Sequence, residues 1–449
     1  MHSTNVPAPA SAVAQLSDFN GDGFPDLAVA SYDGTKVHVY NGEHSGLNLK
    51  ASALFTPRSP GMPRGISAAE GFDDLVSGDL DQDGYADLVL HAIGEEIPDE
   101  LNTVVLWGAP DGLTRGASYL QHLPALSAKQ RRMTADPDTS VDPDTDVNHT
   151  MRLQVGDFDD DRDVDLMRFA DDSGPSELFH GPFNRKGSAR YVTPTRAFGV
   201  AEGDSLAALS LVGSPGSDPE LGVVTNEEQG SHGRQLTSWY PFSRESRSGR
   251  QKLPPATAAG SGDIDCDGRA DLVLSEAMRY EGSESSVPGG QVSVVYGSPD
   301  GYGKGRTTLH VTRDSPGVPA ASQPDSLIGH AQALGDVNGD GCADVTVSAG
   351  VDRLLLFKGS RNGLRTEDAQ VVTVQQLDLP PTYDHAPNGF GGLGLMDLNS
   401  DKYADLVAGP LRDAKGHGVP VVLHGSRDGF DAAAPLLITE PSSSGAASS

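Results

Sequence analysis

The hydrophobic pattern of this chain consists of short apolar runs, each following a stretch rich in aspartate. Leu27-Ala-Val-Ala30, Leu88-Val-Leu90, Leu166-Met167, Leu272-Val-Leu274, Val345-Thr-Val347 and Leu406-Val407 are too short for helices and have the make-up of buried strands. A second apolar run follows each of them and ends at a glycine, as in Tyr40-Asn-Gly42, Trp107-Gly108, His180-Gly181, Tyr296-Gly297, Lys358-Gly359 and His424-Gly425. Turn residues such as Ser-Pro-Asp-Gly301 and Ser-Arg-Asn-Gly363 come next, which predicts hairpins. No long window sustains a helical period, so the expected class is all-β.

The acidic stretches share one spacing. Asp18-Phe-Asn20-Gly-Asp22-Gly23-Phe24-Pro-Asp26 sets the pattern, with an oxygen-bearing side chain at positions 1, 3, 5 and 9 and glycine at position 6. The others place Asp79, Asp81, Asp83 and Asp87; Asp157, Asp159, Asp161 and Asp165; Asp263, Asp265, Asp267 and Asp271; Asp336, Asn338, Asp340 and Asp344; and Asp397, Asn399, Asp401 and Asp405. Alternate residues of a tight loop can aim oxygens at one centre, and a hard cation such as calcium takes six to eight of them. Position 7 (Phe24, Tyr85, Asp163, Arg269, Cys342, Tyr403) is expected to add its backbone carbonyl, by analogy with the first half of an EF-hand loop. The second half departs from that loop, with Asp at position 9 and a strand after it instead of a bidentate Glu and a helix. Arg162 and Lys402 replace the position-6 glycine, and if that position is left-handed each costs about 1–2 kcal/mol. The expectation is four to six calcium ions, with those two loops the weaker.

The spacing of the loops gives the architecture. The long interval between Asp165 and Asp263 hides a further unit: Ser205–Gly213, Glu220–Thr225 and Gln235–Tyr240 read as strands, while Ser214–Pro219 is a loop that has lost its ligands. Seven units of four strands predict a seven-bladed β-propeller of four-stranded antiparallel blades, with calcium loops between first and second strands. Residues 11–440 are assigned to it, with 1–10 as an extension and the small, polar 441–449 as a disordered tail.

The formal charge of −30 is largely committed to the loops. Six calcium ions would reduce it to about −18, still too acidic for nucleic acid or an anionic membrane surface to be a natural partner. No apolar run approaches a membrane span, and Met1–Ala12 lacks the basic start and apolar core of a signal peptide, so the chain is read as lacking one. Calcium loops of this kind suit the calcium levels outside cells, which makes the expected location secreted or cell-surface. Cys266 and Cys342 fall in two different loops and are expected to be free thiols.

These residues resemble the FG-GAP repeats of the integrin alpha-chain propeller, a type common in secreted bacterial proteins. The loops match residue by residue, Phe72, Gly329 and Phe390-Gly391 sit where the Phe-Gly element falls, and Trp107-Gly-Ala-Pro has the look of the Gly-Ala-Pro element. Thr150 stands where Phe-Gly is expected, and the fourth unit lacks the loop. The resemblance implies a ligand face opposite the calcium loops.

Segment lengths vary most on that opposite face, at 94–102, 277–290 and 411–419 within units and at 123–149, 242–257, 312–326 and 379–388 between them. Insertions on one face of a repeat array mark a binding face. Asp73, His149, His330, His385 and Phe390 head the innermost strands there and are the candidate ligand-binding residues. Trp239 is expected in the core, and Trp107 either packs or stacks a sugar near the calcium face, packing being the expected role. No local catalytic motif is present. The function expected is an extracellular binding or adhesion module for a protein or glycan; the alternatives are a lectin and a secreted glycan lyase or hydrolase with its site on the same face.

Overall fold

A computed structural model describes residues 14–438, apart from 94–101, 121–150, 171–176, 195–204, 212–219, 230–233, 243–250, 277–286, 320–326, 378–389, 413–417 and gaps of one to three residues elsewhere. The described residues contain strands and turns and no helix. Among the described residues twenty-eight strands form seven four-stranded sheets, and each sheet uses four strands consecutive in the chain. In the first blade, β1 (Ala14–Ser17), β2 (Asp26–Ala30), β3 (Val37–Glu43) and β4 (Gly46–Phe55) pair antiparallel in order. The strands read in the loopless fourth unit are present as β13 (Ser205–Leu211), β14 (Glu220–Gln229) and β15 (Arg234–Phe242).

The first strands of the blades stand side by side around a ring. They are β1, β5 (Phe72–Gly78), β9 (Met151–Gly156), β13, β17 (Ala258–Gly262), β21 (Ile328–Gly335) and β25 (Gly392–Met396), and β25 lies against β1 again. Successive side chains on a strand point to opposite faces, so the apolar runs serve two neighbours at once. Ala28 and Ala30 of β2 pack with Leu75, Leu88 and Leu90 of the second blade, while Leu27 and Val29 pack with Leu398, Val407 and Val422 of the last. This is why β2 shows no polar alternation: all five of its residues are buried. The ring therefore closes through side-chain packing, with Tyr40 and Ile438 completing that junction, and among the described residues no strand is exchanged between the first and last blades.

Two expectations are corrected here. Phe390 is 1% exposed and belongs to the core shared by the sixth and seventh blades, with Ala331, Leu393 and Leu406, so it does not line a channel mouth. Its aromatic ring fills the wedge between sheets, as Phe72 does between the first two blades. Cys266 and Cys342 are joined in a disulfide, with Cα atoms 5.0 Å apart, a normal separation for such a bridge. The thiols were expected to be free because the bond must cross between metal loops. It crosses from position 4 of one loop to position 7 of the next, and neither side chain is a candidate ligand.

The bridge spans a sequence separation of 76. Loop-closure entropy for a link of that length amounts to about 4 kcal/mol. Cys266→Ser with Cys342→Ser should lower the denaturant midpoint, and reductant should lower that of the parent chain while leaving the double variant unchanged. A parent chain indifferent to reductant would show that the thiols are free.

Candidate metal centres

Each acidic loop closes the hairpin between the first and second strands of its blade in one register. The residue before position 1 pairs with the aspartate at position 9: Ser17 with Asp26, Gly78 with Asp87, Gly156 with Asp165, Gly262 with Asp271, Gly335 with Asp344 and Met396 with Asp405. Position 2 anchors the loop from below, with Phe19, Leu80, Phe158, Ile264, Val337 and Leu398 all buried in the core.

The loop backbone is shaped by the same carboxylates that were read as ligands. At position 1, one oxygen accepts from the amide of position 5 and the other from that of position 6, as in Asp79 with Asp83 (3.1 Å) and Gly84 (3.0 Å). Arg162 and Lys402 donate in the same way, at 3.0 and 2.8 Å. At position 5, one oxygen accepts from the amide of position 7 in all six loops. Position 6 is left-handed throughout, with φ of 90° at Gly23, 93° at Gly84, 73° at Arg162, 85° at Gly268, 89° at Gly341 and 79° at Lys402.

Position 9 is the most buried part of the site. Asp87 is 0% exposed, and its oxygens accept from Leu80 N at 2.9 Å and from Gly108 N at 2.8 Å. Asp26, Asp165, Asp271, Asp344 and Asp405 repeat the pair of bonds with Gly42, Gly181, Gly297, Gly359 and Gly425. These are the glycines that end the third strand, and the sequence reading assigned them to hairpin turns. None has a positive φ. A Cβ on Gly108 would lie 2.3 Å from the carbonyl oxygen of Ala86, and one on Gly42 would lie 2.2 Å from that of Pro25. Close approach is thus the reason for glycine at this place.

Electrostatics favour a cation. Burial pushes Asp26 up to about 6 and Asp87, Asp271 and Asp344 up to about 7, with neighbouring loop carboxylates adding to the rise and the two backbone amides opposing it. Burial likewise raises Asp79, Asp263 and Asp265. In the second loop one oxygen each of Asp79, Asp81 and Asp87 lie within 4.8 Å of one another, and Asp263, Asp265 and Asp271 do the same in the fifth blade. Asp81 Oδ1 and Asp265 Oδ1 are buried with no hydrogen-bond partner. A hard divalent cation fits this all-oxygen donor set and these orphaned oxygens. Cys266, Cys342 and Asp340 also lie close together, but the disulfide removes the two sulfurs as thiolate ligands.

Neighbouring loops touch through a contact that the sequence reading missed. Position 4 of one loop meets position 7 of the next: Tyr85 lies against Gly21, Gln82 donates to Asp163, Cys266 bonds to Cys342, and Tyr403 lies against Gly339. Backbone bonds run alongside, from Ala86 N to Asp18 O (2.9 Å), Ala343 N to Asp263 O (2.8 Å) and Ala404 N to Asp336 O (2.8 Å). Position 4 is left-handed as well, with φ between 53° and 72° at Gly21, Gln82, Cys266, Gly339 and Ser400. The pairing of Gly with Tyr and Cys with Cys at those positions was the available signal.

Of the other candidates, Asp159, His149 and His385 lie outside the described residues, as does most of the insertion-rich face. Asp73 lies in β5 and His330 in β21, and their side chains are likewise outside the description. Trp107 is 2% exposed and donates from Nε1 to Ser118 Oγ at 2.9 Å, so it packs. Trp239 pairs with Val224 in β15, and its side chain is outside the description.

Fold and loops define a β-propeller with six acidic hairpins on one rim. Residues 18–90 match the FG-GAP-like repeat family. The chain is 28% identical over 158 residues to integrin alpha-6 of Gallus gallus, 34% of this chain and 13% of that one. It is 28% identical over 155 residues to integrin alpha-7 of Homo sapiens (34% and 12%), and 35% identical over 104 residues to integrin alpha-V of Gallus gallus (22% and 9%). The matched region is thus about an eighth of the length of the first of these relatives. Repeat, relatives and architecture agree on an integrin-alpha-like propeller.

The left-handed backbone at Lys402 makes a direct test of the loop geometry. Lys402→Gly should raise the melting temperature by the equivalent of about 1 kcal/mol, whereas Lys402→Ala, which removes the charge and keeps the Cβ, should not. Equal effects of the two would assign the gain to charge and not to backbone strain.

Proposed function

We propose that this chain is an extracellular, calcium-stabilised propeller that acts as a binding or adhesion module for a protein or glycan. The observation that carries the reading is the recurrence of one acidic hairpin, in one register, in six blades of an integrin-alpha-like ring. In each loop the side chains at positions 1, 3, 5 and 9 and the position-7 carbonyl would hold the ion, and calcium would neutralise carboxylates that otherwise repel one another. The disulfide supports an oxidising compartment. Among the described residues no helix is long and apolar enough to cross a membrane. The insertion-rich face opposite the loops is the surface assigned to the ligand, with Asp73, His149, His330 and His385 as candidates there.

Calcium should raise the melting temperature by well over the few degrees that correspond to about 1 kcal/mol, and a chelator should reverse the gain. The same protein, calcium-loaded, should retain members of a panel of extracellular-matrix proteins and cell-wall glycans without altering them. Indifference to chelator would remove the metal from the reading, and release of shortened or unsaturated sugars would replace a binding module with an enzyme.

A further inference from the structure

The second acidic loop already holds a cation, and it comes from the neighbouring blade. Arg185, in the turn after the third strand of the third blade, reaches across the junction to residues 79–87. Its Nε lies 2.7 Å from Asp81 Oδ2, its Nη2 pairs with Asp83 Oδ2, and Nη2 also donates to Gly108 O at 3.0 Å. One planar guanidinium thus takes the position-3 and position-5 carboxylates together, a geometry suited to its fork of donors. The arm is fixed at its base, because Ser118 Oγ donates to Arg185 O at 2.6 Å and accepts from the indole of the buried Trp107 at 2.9 Å. Phe183 N, two residues upstream, donates to Leu80 O at 2.8 Å and sets the register of the turn against the loop.

This arrangement separates the second loop from the others. Among the described residues the one carboxylate that Arg306 meets is Asp265 of the fifth blade, at 3.0 Å, while its guanidinium lies over the ring of Tyr296. Among the described residues the one carboxylate that Arg190 approaches is Asp161, at 3.4 Å. Among the described residues no arginine or lysine pairs with Asp18 or Asp22 of the first loop. Yet Asp81 is only 9% exposed and its Oδ1 has no hydrogen-bond partner, so the interior of the second loop still offers an oxygen that the guanidinium does not use.

We propose that Arg185 serves as the second loop's own cation, competing with calcium for Asp81 and Asp83 and making residues 79–87 a far weaker calcium site than residues 18–26. The proposal rests on the reading of the loops as calcium sites. It assigns the guanidinium the part of a resident positive charge that keeps the junction between the second and third blades closed when calcium is scarce.

Calcium titration of the full chain by calorimetry and equilibrium dialysis tests this. Arg185→Met, which keeps the apolar stem without the charge, should add one tight site with affinity on the order of tenfold or more above that of the parent's second loop. It should also lower the melting temperature in chelator and restore it in calcium. Arg185→Lys, a milder change that keeps one charge and loses the fork, should give a smaller gain. Adding Asp81→Asn to Arg185→Met should abolish the new site. Unchanged or reduced calcium binding in both Arg185 variants, with the other loops loading normally, would overturn the proposal alone. Absence of calcium binding in the parent and every variant would overturn the calcium reading and this proposal with it.

Discussion

A carboxylate with no exposed surface, held by two backbone amides, is the constraint on which each loop-bearing blade depends. It joins three pieces of chain that the sequence separates: the start of the loop, the start of the second strand, and the end of the third. Hydrogen bonds to a charged acceptor contribute about 1.5–3 kcal/mol each, and a buried charge stripped of them costs several. Aspartate has the reach for this place because its side chain is short, and the glycine opposite leaves room for the amide to come close. The loop rim and the strand stack are therefore one structure. In a loop-bearing blade the bonds that shape the loop also tie the second strand to the third.

The same economy explains why the ligand pattern is so regular. Positions 1, 5 and 9 shape the backbone as well as offering oxygens, so losing one of them removes both a donor and a bend. Position 3 is different: Asp81 and Asp265 each bury one carboxylate oxygen with no hydrogen-bond partner, while Asn20, Asn338 and Asn399 at the same position accept from the position-5 amide. That is the position at which the arginines gather, Arg185 on Asp81 and Arg306 on Asp265.

Much of this was legible in the residues. The apolar runs gave strands, the loop spacing gave the units, and even the loopless fourth unit could be found from Ser205–Gly213 and Gln235–Tyr240, because strand patterning survives where the ligands do not. What escaped lies in contacts between units. The disulfide, the Tyr85 and Tyr403 contacts and the arm of Arg185 all join residues far apart in sequence, and a pattern read along one unit does not register a partner in the next. The strand-end glycines were found but misread, since a turn and a close approach leave the same letter in the chain. Phe390 was misplaced for a related reason: a residue heading an inner strand can point along the channel or between sheets, and only packing decides.

The contact between position 4 and position 7 is built from different chemistry at successive junctions. It is a ring on a glycine between the first two blades and again between the sixth and seventh, a polar pair between the second and third, and a covalent bond between the fifth and sixth. A ring assembled this way is not equally stiff around its circumference. Force entering from a tethered ligand would pass through the bonded pair of blades as through one body and would part the rim first where only packing or a hydrogen bond holds it, giving a nominally symmetric ring a preferred direction of yielding.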